Sequence, residues 1–94
     1  DLFPEYGLDL YQFLFEPITK FNGEVLGRKI YDAIKRYESR VSPQQVRVLA
    51  DPDNNLYNIT VVIEIPVLNQ TTETLFALDL KKQSFISIPT SRNT

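Results

Sequence analysis

Apolar positions recur along this chain at two spacings, and the change between them divides it. Up to about Val41 the spacing is helical. Leu10, Phe13 and Leu14 fall at i, i+3 and i+4, which predicts a short helix over about Asp9 to Glu16. Pro17 ends it by steering Glu16 out of the α region. Tyr11 and Phe15 lie off this stripe, so the helix is apolar on more than one side. A second helix is predicted with Asn22 as N-cap before Gly23-Glu24-Val25. Its stripe is Leu26, Ile30, Ala33, Ile34 and Tyr37, with Lys29, Asp32, Lys35 and Arg36 turned to water. Gly27 costs about 1 kcal/mol relative to alanine in a helix interior. A close approach of another backbone would explain it.

After Ser42-Pro43 the period becomes two. Val46 and Val48 mark a short first strand, and Asp51-Pro52-Asp53-Asn54-Asn55 a dense turn. A long second strand is expected over about Leu56 to Leu68. Tyr57, Ile59, Val61, Ile63, Ile65 and Val67 line one face, and Asn58, Thr60, Val62 and Glu64 the other. A third strand, about Thr74 to Lys81, carries Phe76, Leu78 and Leu80. Phe85, Ile86 and Ile88 form a further β-like patch, open to pairing with the chain's own sheet or with a partner. The predicted fold class is α+β: two helices packed on one face of a small antiparallel three-stranded meander.

This pattern makes a claim about edges. A short first strand leaves the far half of the second, Ile63 to Leu68, unpaired on one side. Pro66 falls in that half, and proline is confined to edges, strand starts and bulges. The outer edge of the third strand is expected to be free as well. Open edges are templates for a strand from another chain. Monomers protect such edges too, and Pro66, Lys81 and Lys82 would serve that purpose.

Composition narrows the chemistry. The 94 residues fit one domain spanning 1–94. The chain opens on Asp1 and has no methionine, so the natural N-terminus is expected to be missing; residues 89–94 read as a flexible tail. Absence of cysteine and histidine removes disulfides, thiolate metal sites and the usual general base near neutral pH. No cofactor is expected. A net charge of −2 supplies no basic field for nucleic acid or a membrane surface. Lys29, Lys35, Arg36, Arg40 and Arg47, with Tyr31 and Tyr37, are the residues a nucleic-acid reading would use, and the acidic balance opposes it. Asn58-Ile59-Thr60 and Asn69-Gln70-Thr71 match the glycosylation pattern, but no secretory signal accompanies them.

Two blocks carry a resemblance. They are Phe3-Pro4-Glu5-Tyr6-Gly7-Leu8-Asp9-Leu10 with Leu14-Phe15, and Ile30-Tyr31-Asp32-Ala33-Ile34-Lys35-Arg36-Tyr37-Glu38-Ser39-Arg40-Val41. The sequence resembles the baseplate-wedge and sheath-initiator family of contractile-tail phages and type VI secretion systems. That family typically carries a Glu-Pro-Arg triplet after an Ala-Ile pair and an aromatic residue. Here it reads Glu38-Ser39-Arg40, and Ser39 leaves the loop less rigid.

The resemblance implies a structural subunit of a tail baseplate. It would be present in several copies around a symmetric tail, in a virion or in a cytoplasmic secretion-machine baseplate. Glu38 and Arg40 become candidates for contact with the helical bundle of other wedge proteins. Ile63, Ile65, Val67, Thr74, Phe76, Leu78 and Leu80 become candidates for contact with the tail sheath protein. A lysozyme-like glycosidase is the competing expectation, since some family members carry that label. It would draw on Glu5, Asp9, Glu16 or Glu38, none of them in a recognisable catalytic motif.

Overall fold

The computed structural model describes Phe13, residues 15–79 and the backbone of residues 84–88. One α-helix is present among the described residues: α1, Lys20–Tyr37. The expected helix over Asp9 to Glu16 lies mostly outside them. Its described positions are not α-helical: Phe13 has 3-10 geometry, Phe15 lies in a turn and Glu16 in a bend.

Thr19, not Asn22, caps α1. The Thr19 hydroxyl accepts from the Asn22 backbone N–H at 3.0 Å, satisfying an otherwise unpaired donor of the first turn. Asn22 instead reaches back and donates through Nδ2 to the Pro17 carbonyl at 2.8 Å. Thr19 supplies the cap, and Asn22 fixes the chain that enters the helix. Lys35 and Arg36 occupy the last turn, where they suit the helix dipole.

Four strands follow: β1 Ser42–Asp51, β2 Leu56–Ile65, β3 Gln70–Asp79 and β4 Ser84–Ile88. They form one antiparallel sheet in the order β1-β2-β3-β4. The predicted three-strand meander is present, and the patch after it pairs with its own sheet, Ser84 opposite Asp79 and Ile88 opposite Leu75.

Three expected boundaries need correction, and one of them is the start of β3, which lies at Gln70 rather than about Thr74. β1 is ten residues long, not a short piece around Val46 and Val48. A bulge at Gln44 lets it pass Pro43 and continue, so that Ser42 pairs Glu64 and Pro43 pairs Ile63. The far half of β2 is therefore paired on that side as far as Glu64. In addition, β2 stops at Ile65; Pro66-Val67-Leu68 is a 3-10 turn rather than strand. Asn69 follows in the left-handed conformation, φ 53°.

The core lies between α1 and one face of the sheet. Leu26 and Ile30 meet Tyr57, Ile59, Val61 and Leu78, and Phe13 joins them. Gly23 and Gly27 let the helix approach β1. A Cβ at Gly27 would stand 3.2 Å from Val48 Cγ2 and 3.7 Å from the Val46 carbonyl oxygen. The close approach expected at Gly27 is thus made by β1, with the Val48 side chain its tightest neighbour.

Candidate functional site

The strand order fixes which edges of the sheet face outward. β1 and β4 are the outer strands. Among the described residues nothing pairs with β1 on its outer side. On that side, α1 and β1 form the walls of a groove of about 480 Å³ lined by Gly23, Gly27, Tyr31, Val46, Val48 and Leu49. Glu24, Arg28 and Arg47 supply its charges. Leu49 points to the opposite face from Val48 and is 69 % exposed. The inner half of the β3 outer edge, Leu75–Asp79, is taken by β4, while Gln70–Thr74 has no partner there among the described residues.

A second feature is the loop leaving α1. Glu38 caps the helix, its N–H donating to the Ile34 carbonyl at 2.9 Å. Val41 N–H returns to the Glu38 carbonyl at 3.4 Å, which closes a tight turn without a proline. Arg40 reaches Glu38 at 3.7 Å, with the Arg40 side chain 83 % exposed. An exposed ion pair of that length adds about 0–1 kcal/mol of stability. Arg36 lies over the Tyr37 ring, 5.3 Å from its centre, at the same end.

The residues singled out from sequence separate accordingly. Glu38 and Arg40 stand together at the helix end. Ile63 and Phe76 pack against the core, and Leu78 is fully buried within it, so their side chains hold the sheet together. Ile65 and Thr74 are half-buried. Val67 is exposed in the β2–β3 turn. Leu80 lies outside the described residues, as do Glu5, Asp9, the Phe3–Leu10 block and the tail 89–94.

Tyr57 is a titratable group whose surroundings alter it. Its ring is wholly enclosed, and its hydroxyl donates to the Pro17 carbonyl at 3.5 Å. Burial raises its pKa above the ordinary tyrosine value; the Thr19 backbone partly offsets this, and the Glu16 charge adds to it. It therefore ties the segment before α1 to β2. No group of carboxylates that would hold a metal exists among the described residues. Among them, too, no helix is long and apolar enough to cross a membrane.

Sequence reasoning missed the full length of β1 and the apolar turn 66–68. The turn had a signal. Pro66-Val67-Leu68-Asn69 repeats the Pro-x-x-Asn spacing of Pro52-Asp53-Asn54-Asn55.

Comparison with known proteins identifies a family. The family model described as baseplate wedge protein gp25 matches residues 1–72. Baseplate wedge protein gp25 of Enterobacteria phage T4 is 33 % identical over 66 residues, which cover 70 % of this chain and 48 % of that protein. The chain thus spans about half the length of the curated relative it matches. No solved structure matches it. With most of its length covered by the family model, the chain belongs to the gp25 family of baseplate wedge proteins.

Proposed function

We propose that this chain is a structural subunit of a contractile-tail baseplate that works by binding neighbouring subunits. Strand addition at the outer edge of β1 joins it to the tail sheath protein. The observation that carries this reading is the position of β1, a ten-residue strand at the edge of the sheet. An added strand gains backbone hydrogen bonds from that edge, and the groove beside it, with Val46 and Val48 in its wall, offers apolar surface to alternate side chains on that face, while Leu49 offers it on the other. The second contact is with the helical bundle of other wedge proteins, made by Glu38 and Arg40 at the opposite end of α1 from Thr19. Several copies then sit around the symmetric tail.

Catalysis is not part of this reading. The α1–β1 groove carries one carboxylate, Glu24, whereas glycoside hydrolysis ordinarily requires a pair about 5–9.5 Å apart. Purified protein is expected not to clear a peptidoglycan suspension.

The test is binding of the purified chain to the sheath protein and, separately, to the wedge proteins of the same tail. Both should bind. Glu38→Gln with Arg40→Gln should weaken the wedge contact and leave the sheath contact intact. Failure of the native chain to bind either protein would refute the proposal.

A further inference from the structure

The β1–β2 and β2–β3 turns of the sheet share one backbone. Each begins with proline, Pro52 or Pro66, and ends on a left-handed asparagine. Asn55 has φ 56° and ψ 42°; Asn69 has φ 53° and ψ 43°. In each, the asparagine N–H donates to the proline carbonyl, at 3.1 Å and 3.0 Å. The backbone therefore accepts Asp-Asn at the two middle positions as readily as Val-Leu. In the first turn those positions are Asp53 and Asn54, and Asn54 is bonded to Asp51. In the second they are Val67 and Leu68, 85 % and 58 % exposed. Neither turn geometry nor core packing calls for these two apolar side chains.

Their position ties them to the helix-end loop. Ser42 pairs Glu64, so Arg40, two residues before Ser42, and Pro66, two residues after Glu64, lie at the same end of the sheet on neighbouring strands. Adjacent strands are about 5 Å apart. The charged groups at this end are Lys35, Arg36 and Arg40 on the helix side, and Glu38, Glu64 and Glu73 on the loop and strands. The three cations are exposed. Among the described residues, Arg40 has only the long contact to Glu38 to offset its charge. With three cations and three carboxylates, this end carries no net charge to draw it to an anionic lipid surface, and a protein can place an opposite charge against a single side chain such as Arg40, which favours a protein partner.

Resting on the wedge contact proposed above, we infer that Val67 and Leu68 are its apolar half. They seat in a depression on a wedge protein whose rim carries carboxylates facing Arg40. Two exposed aliphatic side chains entering such a depression form a small anchor, and the surrounding charges set orientation.

The test is a turn exchange. Val67→Asp with Leu68→Asn gives the second turn the residues of the first, so the fold and melting temperature should be retained. Affinity for the purified wedge complex lacking this subunit, measured by calorimetry, should fall about tenfold to a hundredfold. Arg40→Gln alone should bind more weakly at low salt and lose the salt dependence of the native chain. If the native chain binds and the exchanged chain binds equally well, the inference is wrong and the wedge contact stands on Glu38 and Arg40 alone. Absence of binding by the native chain would remove both readings. Sedimentation showing self-association abolished by the exchange would overturn the inference in favour of a second copy. Flotation with anionic vesicles abolished by the exchange would overturn it in favour of a lipid.

Discussion

The half of the sheet next to the first turn and the half next to the second are built to different ends. Near the first turn, Tyr57, Ile59 and Leu78 are buried under Leu26 and Phe13, and the turn itself is polar. Near the second, β3 is exposed from Gln70 to Glu73, and the turn carries Val67 and Leu68 into solvent. The same three strands and nearly the same turn backbone serve both halves. The difference lies in where apolar side chains are used. One half uses them for its own stability, and the other leaves them exposed. In a domain this small, where the core is thin, a partner covering them would add to the stability of the assembled state.

Substitutions separate the halves most sharply at their centres. Tyr57→Ala should destabilise the fold by about 3–5 kcal/mol, by analogy with other large aromatic truncations in cores. Denaturant unfolding would measure it. A cost under about 1 kcal/mol would mean the core is not concentrated at the first-turn end. The shared turn backbone predicts matched effects at Asn55 and Asn69. Valine at either left-handed position should cost about 1–2 kcal/mol, and glycine should be near neutral. Unequal costs would show that the two turns differ in solution.

Capping is where the turns part. Asp51 accepts from the Asn54 N–H at 3.4 Å and from its Nδ2 at 2.9 Å, whereas Ile65 makes no such bond. Asp51→Ala should therefore cost about 0.5–2 kcal/mol. The smallest effect concerns pH. The Tyr57 pKa is raised in the folded state, so unfolding releases a proton once pH exceeds the ordinary value of about 10. Stability should fall as pH rises beyond that point, and Tyr57→Phe should reduce the slope.

Much of this division was legible in the residues. The stripe Leu26, Ile30, Ile34 located α1, and the alternation from Tyr57 to Ile63 located the buried face of β2. The cap was misplaced because Thr19 and Asn22 are both competent caps three residues apart, and only packing decides between them. β1 was underestimated because Pro43 reads as a breaker. At an edge strand beside a bulge it is tolerated, and that context is tertiary. The unpaired half of β2 disappeared with that correction, which moved the exposed edge to β1. Val67 was assigned to a strand because alternation runs through Pro66, yet Pro-x-x-Asn with an asparagine able to adopt positive φ was the stronger signal. Ile63, Phe76 and Leu78 lie in strands expected to bind a partner, but their side chains are needed inside. For these strands, period two identified the buried face and left the accessible edge undetermined.

The most direct measurement is amide hydrogen exchange across β1, compared between the free chain and the chain assembled with sheath protein. The account predicts that amides of Ser42–Asp51 not bonded to β2 exchange quickly in the free protein and become strongly protected, at alternate positions, on assembly. Unchanged exchange along β1 in a verified assembly would contradict strand addition at this edge.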